Sequence, residues 1–180
     1  MGLPQKQSES VNQIKQEKIV KDLMKPLEFF STVSADTTVK NAVYILNNSS
    51  ANDRTATHLL VFENKTLIGI VGTRELLSAI EPPNINPEQW YRGWNLAAWT
   101  RPVFLRGLFT SRCLEIADKT VRDIIRPITT TLNESCSLSE AAYQLYKSNR
   151  NALPVVGNGL VIGLLRGIDL VGEIGHIMEK

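Results

Sequence analysis

The chain has 180 residues, of which 43% are hydrophobic and 21% are charged. This composition is typical of a globular protein, because a disordered chain has fewer apolar residues and a larger net charge. The 20 Lys and Arg residues exceed the 18 Asp and Glu residues by only two, a smaller basic excess than nucleic-acid-binding domains carry. No apolar run approaches the ~20 residues of a membrane-spanning helix. The polar N-terminus lacks the apolar core of a signal peptide, so we expect a cytoplasmic protein.

Cysteine and histidine are too sparse to form a metal or disulfide motif. The two cysteines, Cys113 and Cys136, are far apart, and the two histidines, His58 and His176, belong to no zinc-binding pattern. The sequence also contains no motif that pairs a nucleophile with a base, or two acids with each other. We therefore expect no metal, no catalytic residues and no enzymatic activity.

An internal repeat is the main signal in the sequence. Four blocks of similar sequence occur twice, in the same order and with similar spacing. Chance could produce one such pair but hardly four. The paired blocks are Val20–Pro26 with Val121–Pro127, Thr38–Leu46 with Ser137–Leu145, His58–Phe62 with Ala152–Val156, and Leu67–Gly72 with Val161–Arg166.

The first repeat predicts a strand, a helix, a hairpin and a second helix. A short strand is expected at Phe30–Val33, and an apolar stripe then indicates a helix that Thr38 or Thr37 caps and that ends at Asn47-Asn48. Two buried strands follow around the polar turn Glu63–Thr66. The second helix is expected at 73–80.

The segment 81–118 matches neither repeat and contains all three tryptophans, Trp90, Trp94 and Trp99. Asn86 and Pro87 predict the start of one helix, and a second is expected from about Val103 to Ala117. Aromatic and arginine enrichment favours a helical hairpin packed on the module or on a dimer mate. A different protein partner, a membrane surface and single-stranded nucleic acid are the alternatives.

The second repeat predicts the same order of elements. The expected strand at Thr129–Leu132 leads to a helix that Ser137 and Glu140 start as a capping box and that ends at Ser148-Asn149. A hairpin and a helix at 167–178 follow, in which an apolar stripe comprises Leu170, Val171, Ile174 and Ile177. The glycines at 157, 159 and 163 have the wrong spacing for a dinucleotide fingerprint, and we interpret them as hairpin turn residues.

Each repeat thus reads β-α-β-β-α over about 60 residues, which is too small to bury its apolar faces well alone. We predict a mixed α/β fold of the α+β kind, in which two β-α-β-β-α repeats pack with pseudo-twofold symmetry, with a helical insert between them in the chain. The expected organisation is a mobile tail at 1–17, repeats at 18–80 and 119–180, and the helical connection at 81–118.

This pattern resembles a pair of CBS domains, the module named after cystathionine β-synthase. The most specific stretch is Asn151–Leu170, in which a Leu-Pro-Val-Val strand, a turn and a Gly-containing strand precede an acid at the start of the last helix. The resemblance implies a non-catalytic regulatory module. Such modules commonly bind adenosine-containing ligands in the cleft between the repeats, and they frequently form homodimers.

The resemblance also implies where a ligand would bind. In the family, a Ser or Thr after the second hairpin strand contacts ribose or phosphate, and an Asp three residues later accepts the ribose hydroxyls. The second repeat has Asp169 with Arg166 at the hydroxyl position, and the first has Glu75 with Gly72. Asp169 also fits as an acid that favours the helix dipole, and Arg166 as a phosphate partner or an ion-paired surface residue.

The adenine would lie against strand residues in each repeat. The resemblance places this wall at Asn151 and Ala152, facing Thr130 and Thr131; the matching positions in the first repeat are Thr57, His58, Ser31 and Thr32. The alternative is that these threonines only favour strand structure.

The expected function is the sensing of AMP, ADP, ATP or S-adenosylmethionine and the signalling of its presence to a regulated protein, with no obligatory cofactor. The alternative is a ligand-free dimerisation or protein-interaction module with a decayed nucleotide site, because neither repeat keeps the hydroxyl residue. We expect a homodimer and no membrane or nucleic-acid partner. The substitution Asp169→Ala is expected to remove nucleotide binding and leave the melting temperature nearly unchanged.

Overall fold

The computed structural model describes residues 17–52, 57–81 and 107–179, without the side chains of residues 50–52. They belong to two compact units. The first-repeat unit is Leu27–Thr129, and the second-repeat unit is Thr130–Lys180 together with the N-terminal segment that ends at Pro26. The tail up to residue 16, the predicted cap at Asn86 and the three tryptophans lie outside the described residues.

Both repeats contain the predicted β-α-β-β-α order within the described ranges. Single 3₁₀ turns at Leu27–Phe29 and Val121–Asp123 supplement the regular elements. In chain order these are α1 (Val20–Leu23), β1 (Lys25–Pro26), β2 (Ser31–Ser34), α2 (Val39–Asn52), β3 (His58–Glu63), β4 (Thr66–Gly72), α3 (Thr73–Ile80), α4 (Leu108–Ala117), β5 (Leu132–Asn133), α5 (Leu138–Ser148), β6 (Ala152–Gly157), β7 (Leu160–Arg166) and α6 (Gly167–Met178).

The two sheets share one topology. In the first-repeat unit the strand order is β2-β3-β4, with β2 parallel to β3 and β4 antiparallel to it. In the second-repeat unit the order is β1-β7-β6-β5, with the same parallel and antiparallel pairings and β1 added at the edge. The predicted hairpin turns are confirmed: Asn64 and Lys65 in one, and Asn158 and Gly159 in the other, have the positive φ values that two-residue hairpins use.

The helix α2 continues past the predicted stop at Asn47-Asn48 and ends at Asn52. Exposed asparagines inside a helix cost only a few tenths of a kcal/mol each, so they do not stop it without a backbone change. In α5 that change occurs. Asn149 adopts the left-handed conformation, and its N–H is donated to the carbonyls of Leu145 and Tyr146.

The strand β5 is shorter than predicted and starts only at Leu132, so Thr130 and Thr131 precede it instead of belonging to it. Leu132 pairs with Val155 of β6, which would place Thr131 opposite Pro154. Proline has no N–H to donate to a longer ladder. In the first repeat, where Leu60 stands at the matching position, β2 extends two residues further.

Each leading block packs in the unit of the other repeat. Val20 is fully buried in the second-repeat core, and its N–H is donated to the carbonyl of Cys136 at 2.9 Å. Val121 is fully buried in the first-repeat core, and its N–H is donated to the carbonyl of Thr37 at 2.8 Å. The compact units therefore differ from the predicted ranges 18–80 and 119–180 in two ways: the residues that lead each repeat are exchanged, and the connection belongs to the first-repeat unit.

Ion pairs at the surface hold the same two blocks. Lys21 pairs with Glu134 at 2.7 Å, and this hydrogen-bonded carboxylate raises the pKa of the lysine. Arg122 donates to the carboxylates of Glu63 and Asp36, which together raise the pKa of the guanidinium further above its high usual value.

Glycine allows the close approach of each block to a strand. A side chain at Gly163 would place its Cβ 2.3 Å from the carbonyl oxygen of Lys25, and one at Gly69 would meet Ile125 at 3.0 Å. The interpretation of Gly163 as a turn residue is therefore wrong, since it lies inside β7 and pairs with Pro26. Gly159 lies in the turn as predicted.

The described part of the connection packs on the first repeat. The helix predicted from about Val103 is confirmed over Leu108–Ala117, where α4 contacts α2 and α3. Arg112 of α4 donates hydrogen bonds to the carbonyls of Ala79 and Glu81 at the end of α3. These contacts favour intramolecular packing for this part of the segment.

The apolar stripe predicted on α6 is only partly buried. Leu170 belongs to the core of the second-repeat unit. Val171, Ile174 and Ile177 are about half exposed. Among the described residues, this stripe therefore supplies one core residue, Leu170, instead of four.

Candidate ligand-binding site

In the second repeat, Arg166 and Asp169 bind each other. Asp169 is the third residue of α6, and its Oδ2 accepts hydrogen bonds from the backbone N–H of Arg166 at 3.0 Å and from its Nε at 2.9 Å. Its Oδ1 accepts a third hydrogen bond from Nη2 at 2.5 Å. The side chains are 2% and 9% exposed. The pair thus combines the acid expected at the start of the helix with the ion-paired interpretation of the arginine, but Arg166 is buried.

The predicted adenine wall of this repeat adjoins the pair. Ala152 starts β6 and lies opposite Arg166 in the hairpin register, where it is buried. The exposed Asn151 precedes it, and its carbonyl accepts a hydrogen bond from the N–H of Gly167 at 2.9 Å. Thr130 is half-buried and Thr131 is exposed, both ahead of β5. The structure brings together Asn151, Ala152, Arg166 and Asp169.

The first repeat places a carboxylate in the same way. Glu75 is the third residue of α3, and its Oε2 accepts a hydrogen bond from the backbone N–H of Gly72 at 3.1 Å. Gly72 lies opposite His58 in the hairpin register, and a Cβ at Gly72 would stand 2.8 Å from the imidazole Cδ2. Glu75 and His58 are both buried. Gly72 therefore contacts both Glu75 and His58, two of the residues predicted for this site.

The remaining first-repeat candidates form local polar contacts. The Thr57 hydroxyl lies 3.0 Å from Nδ1 of His58. The Ser31 hydroxyl lies 2.7 Å from that of Ser49 on α2, which itself donates to the carbonyl of Ile45. Thr32, next on β2, is exposed. Ser31 thus links the strand to the helix that follows it.

The CBS domain family matches residues 20–82 and 121–176 of the sequence, well over half of the chain. The chain belongs to the CBS domain family. The resemblance seen in the sequence is therefore confirmed. The two matched ranges start at Val20 and Val121, the buried valines of the two leading blocks. No curated protein sequence matches the chain.

Solved CBS proteins share its fold. CBSX2 of Arabidopsis thaliana, in complex with AMP, is 24% identical over 88% of this chain and 97% of that chain, with a TM-score of 0.58. The CBS pair of MJ0100, in complex with 5′-methylthioadenosine and S-adenosyl-L-methionine, is 18% identical over 89% and 98%, with a TM-score of 0.57. The cytosolic domain of the Mg²⁺ channel MgtE, in complex with ATP, is 16% identical over 83% and 46%, with a TM-score of 0.51. These likenesses establish the predicted α/β fold of a CBS pair.

The two CBS repeats place the larger side chain of the matching hairpin pair on opposite strands. In the second repeat the strand before the helix supplies Arg166 and the facing residue is the small Ala152. In the first repeat the facing residue is the large His58, and Gly72 has no side chain. Sequence reasoning missed this exchange, although the hairpin alignment of the repeats places the four residues in two facing pairs. It also missed the pair formed by Arg166 and Asp169, for which their spacing of three residues is the available signal.

Within the described ranges, no helix is long and apolar enough to cross a membrane. The same residues contain no group of three or more metal-ligating side chains. The chemistry that the described site offers is hydrogen bonding by one carboxylate in each repeat, by one guanidinium, by one imidazole, and by the hydroxyl and amide groups of the neighbouring strand residues.

Proposed function

We propose that this CBS pair is a non-catalytic regulatory module that binds an adenosine-containing ligand and signals its presence to another protein. The observation that supports this most directly is the repeated carboxylate. Glu75 and Asp169 each occupy the third position of the helix after the hairpin, and the N–H of the preceding cap residue holds each of them. A carboxylate at this position can accept hydrogen bonds from the two hydroxyls of a ribose.

The ligands of the similar structures support the same class. AMP, S-adenosyl-L-methionine, 5′-methylthioadenosine and ATP all contain adenosine, and they differ in what the ribose 5′ carbon carries. Asn151, Ala152 and Thr130 in the second repeat, and Thr57 and His58 in the first, are the proposed adenine contacts. Regulation follows if the ligand binds one arrangement of the repeats more tightly than another, since it then shifts the population towards that arrangement.

The first test is calorimetric titration of the full chain with AMP, ADP, ATP and S-adenosylmethionine at low and moderate salt. We expect at least one of them to bind, and we expect the phosphate-containing ligands to bind more weakly as salt rises, because salt screens the attraction of an anion to cationic side chains. Guanosine monophosphate is the matched control, since it keeps the phosphate and ribose and changes the base. No binding by any adenosine compound, or equal binding of the guanosine control, would contradict the proposal.

A second candidate function is homodimerisation without a ligand, and the exposed face of α6 favours it. Two copies of one helix can pack their identical apolar faces against each other about a twofold axis, which is the commonest symmetry of homo-oligomers. Five apolar side chains of this helix are between 49% and 80% exposed: Ile168, Val171, Ile174, Ile177 and Met178. We propose a second copy of this chain as their partner, in a cytoplasmic protein.

Sedimentation tests the dimer directly. We expect the wild-type chain to be a dimer at micromolar concentration and Val171→Glu to shift it towards monomer, because a charge cannot be buried in the interface without a partner. Lys147→Glu on the exposed surface of α5 is the control, and it is expected to leave the dimer intact. A monomeric wild-type chain, or a dimer that tolerates Val171→Glu, would count against this interface.

A further inference from the structure

The carboxylate of Asp169 already has a cationic partner. Three donors of one residue, the N–H, Nε and Nη2 of Arg166, occupy both of its oxygens within 3.0 Å. The two side chains are almost fully buried, so water competes little with this contact. The arginine therefore occupies the oxygens that a bound ribose would use.

We propose that Arg166 closes the second repeat to nucleosides by acting as an internal substitute for the ligand. This inference rests on the proposed function, and it changes the role of Arg166 from phosphate ligand to a residue that sets ligand access. A ribose can bind the Asp169 carboxylate only when the Arg166 guanidinium moves away. That movement breaks two charge-assisted hydrogen bonds in a buried position. The cost of breaking these hydrogen bonds lowers the affinity of the second repeat for a nucleoside at least about tenfold.

The first repeat shows what the position looks like without the arginine. Gly72 stands at the matching point and contributes its backbone N–H to Glu75. The carboxylate stays at the start of the helix although no side chain reaches it from that residue. Closure by an arginine at this strand position is thus a property of the second repeat.

The test uses adenosine, which has the ribose and base but no phosphate, and AMP, which has all three. We expect Arg166→Ala in the full chain to raise the affinity for adenosine at least about tenfold or to add a second equivalent of bound adenosine. The double variant Arg166→Ala/Asp169→Ala is expected to lose this gain. Arg166→Lys keeps the charge without the forked contact and is expected to give a smaller gain; it serves as the second variant if Arg166→Ala fails to fold.

The outcomes separate this inference from the proposed function. A gain that needs Asp169 supports closure, even if the wild-type chain binds nothing and the proposed function fails. Unchanged adenosine binding with weaker AMP binding overturns closure, assigns Arg166 to the phosphate and leaves the proposed function in place. No binding of either compound by the wild type and by folded variants overturns both.

Discussion

Asp169→Ala is expected to lower the free energy of unfolding by about 3–5 kcal/mol, because it breaks a buried ion pair and removes the carboxylate that accepts hydrogen bonds from Nε and Nη2 of Arg166. For a chain of this size, that change corresponds to a fall in melting temperature on the order of 10 °C. Thermal unfolding followed by circular dichroism measures it. The sequence-based expectation of a nearly unchanged melting temperature is replaced, since it treated Asp169 as a residue that contacts only the ligand.

A double-mutant cycle shows whether the pair is responsible. Arg166→Ala is expected to cost less than Asp169→Ala, because the carboxylate keeps the N–H of residue 166. The double variant Arg166→Ala/Asp169→Ala is expected to be more stable than Asp169→Ala alone, since it removes both charges of the buried pair together. Lys119→Ala removes an exposed ion pair with Glu115 and is expected to cost about 1 kcal/mol or less. An Asp169→Ala protein as stable as wild type would contradict the structural role.

Val20→Ala and Val121→Ala are expected to destabilise opposite repeats. Each side chain is fully buried, so its truncation is expected to cost about 1–3 kcal/mol. Val20 lies in the second-repeat core and Val121 in the first-repeat core, although each precedes the other repeat in the sequence. Hydrogen exchange followed by mass spectrometry locates the loss of protection along the chain.

The two variants serve as controls for each other. Val20→Ala is expected to speed exchange in β6 and β7 more than in β3 and β4, and Val121→Ala is expected to do the reverse. Faster exchange in the repeat that directly follows each valine in the sequence would contradict the packing. Equal loss in both repeats would also contradict it, because the leading block would then not belong to one core.

Secondary structure was predictable wherever a local rule governs the chain. The helix bounds at Thr73–Ile80 and Gly167–Met178 and the left-handed stop at Asn149 follow from nearby residues, and the structure confirms them. The ends of α2 and β5 were predicted wrongly. The first needed a backbone change that exposed asparagines do not impose, and the second depended on Pro154 in a neighbouring strand.

The candidate carboxylates were also predictable, but their surroundings were not. The alignment of the repeats identifies Glu75 and Asp169 as matching acids at helix starts, and the structure places both there. It did not indicate that Arg166 turns back onto Asp169, because an arginine side chain has several rotamers and only burial selects one. It also did not indicate that His58 uses the room that Gly72 leaves.

The sequence by itself determined that this protein contains two similar β-α-β-β-α repeats of the CBS family. Periodicity and internal similarity can be read from the sequence alone, because they do not depend on which elements pack against each other. Only the tertiary structure decided that Val20 packs in the core of the second repeat and Val121 in the core of the first. The blocks around them are alike, so the sequence offers no preference between the two cores, and the choice depends on distant contacts such as the approach of Lys25 to Gly163.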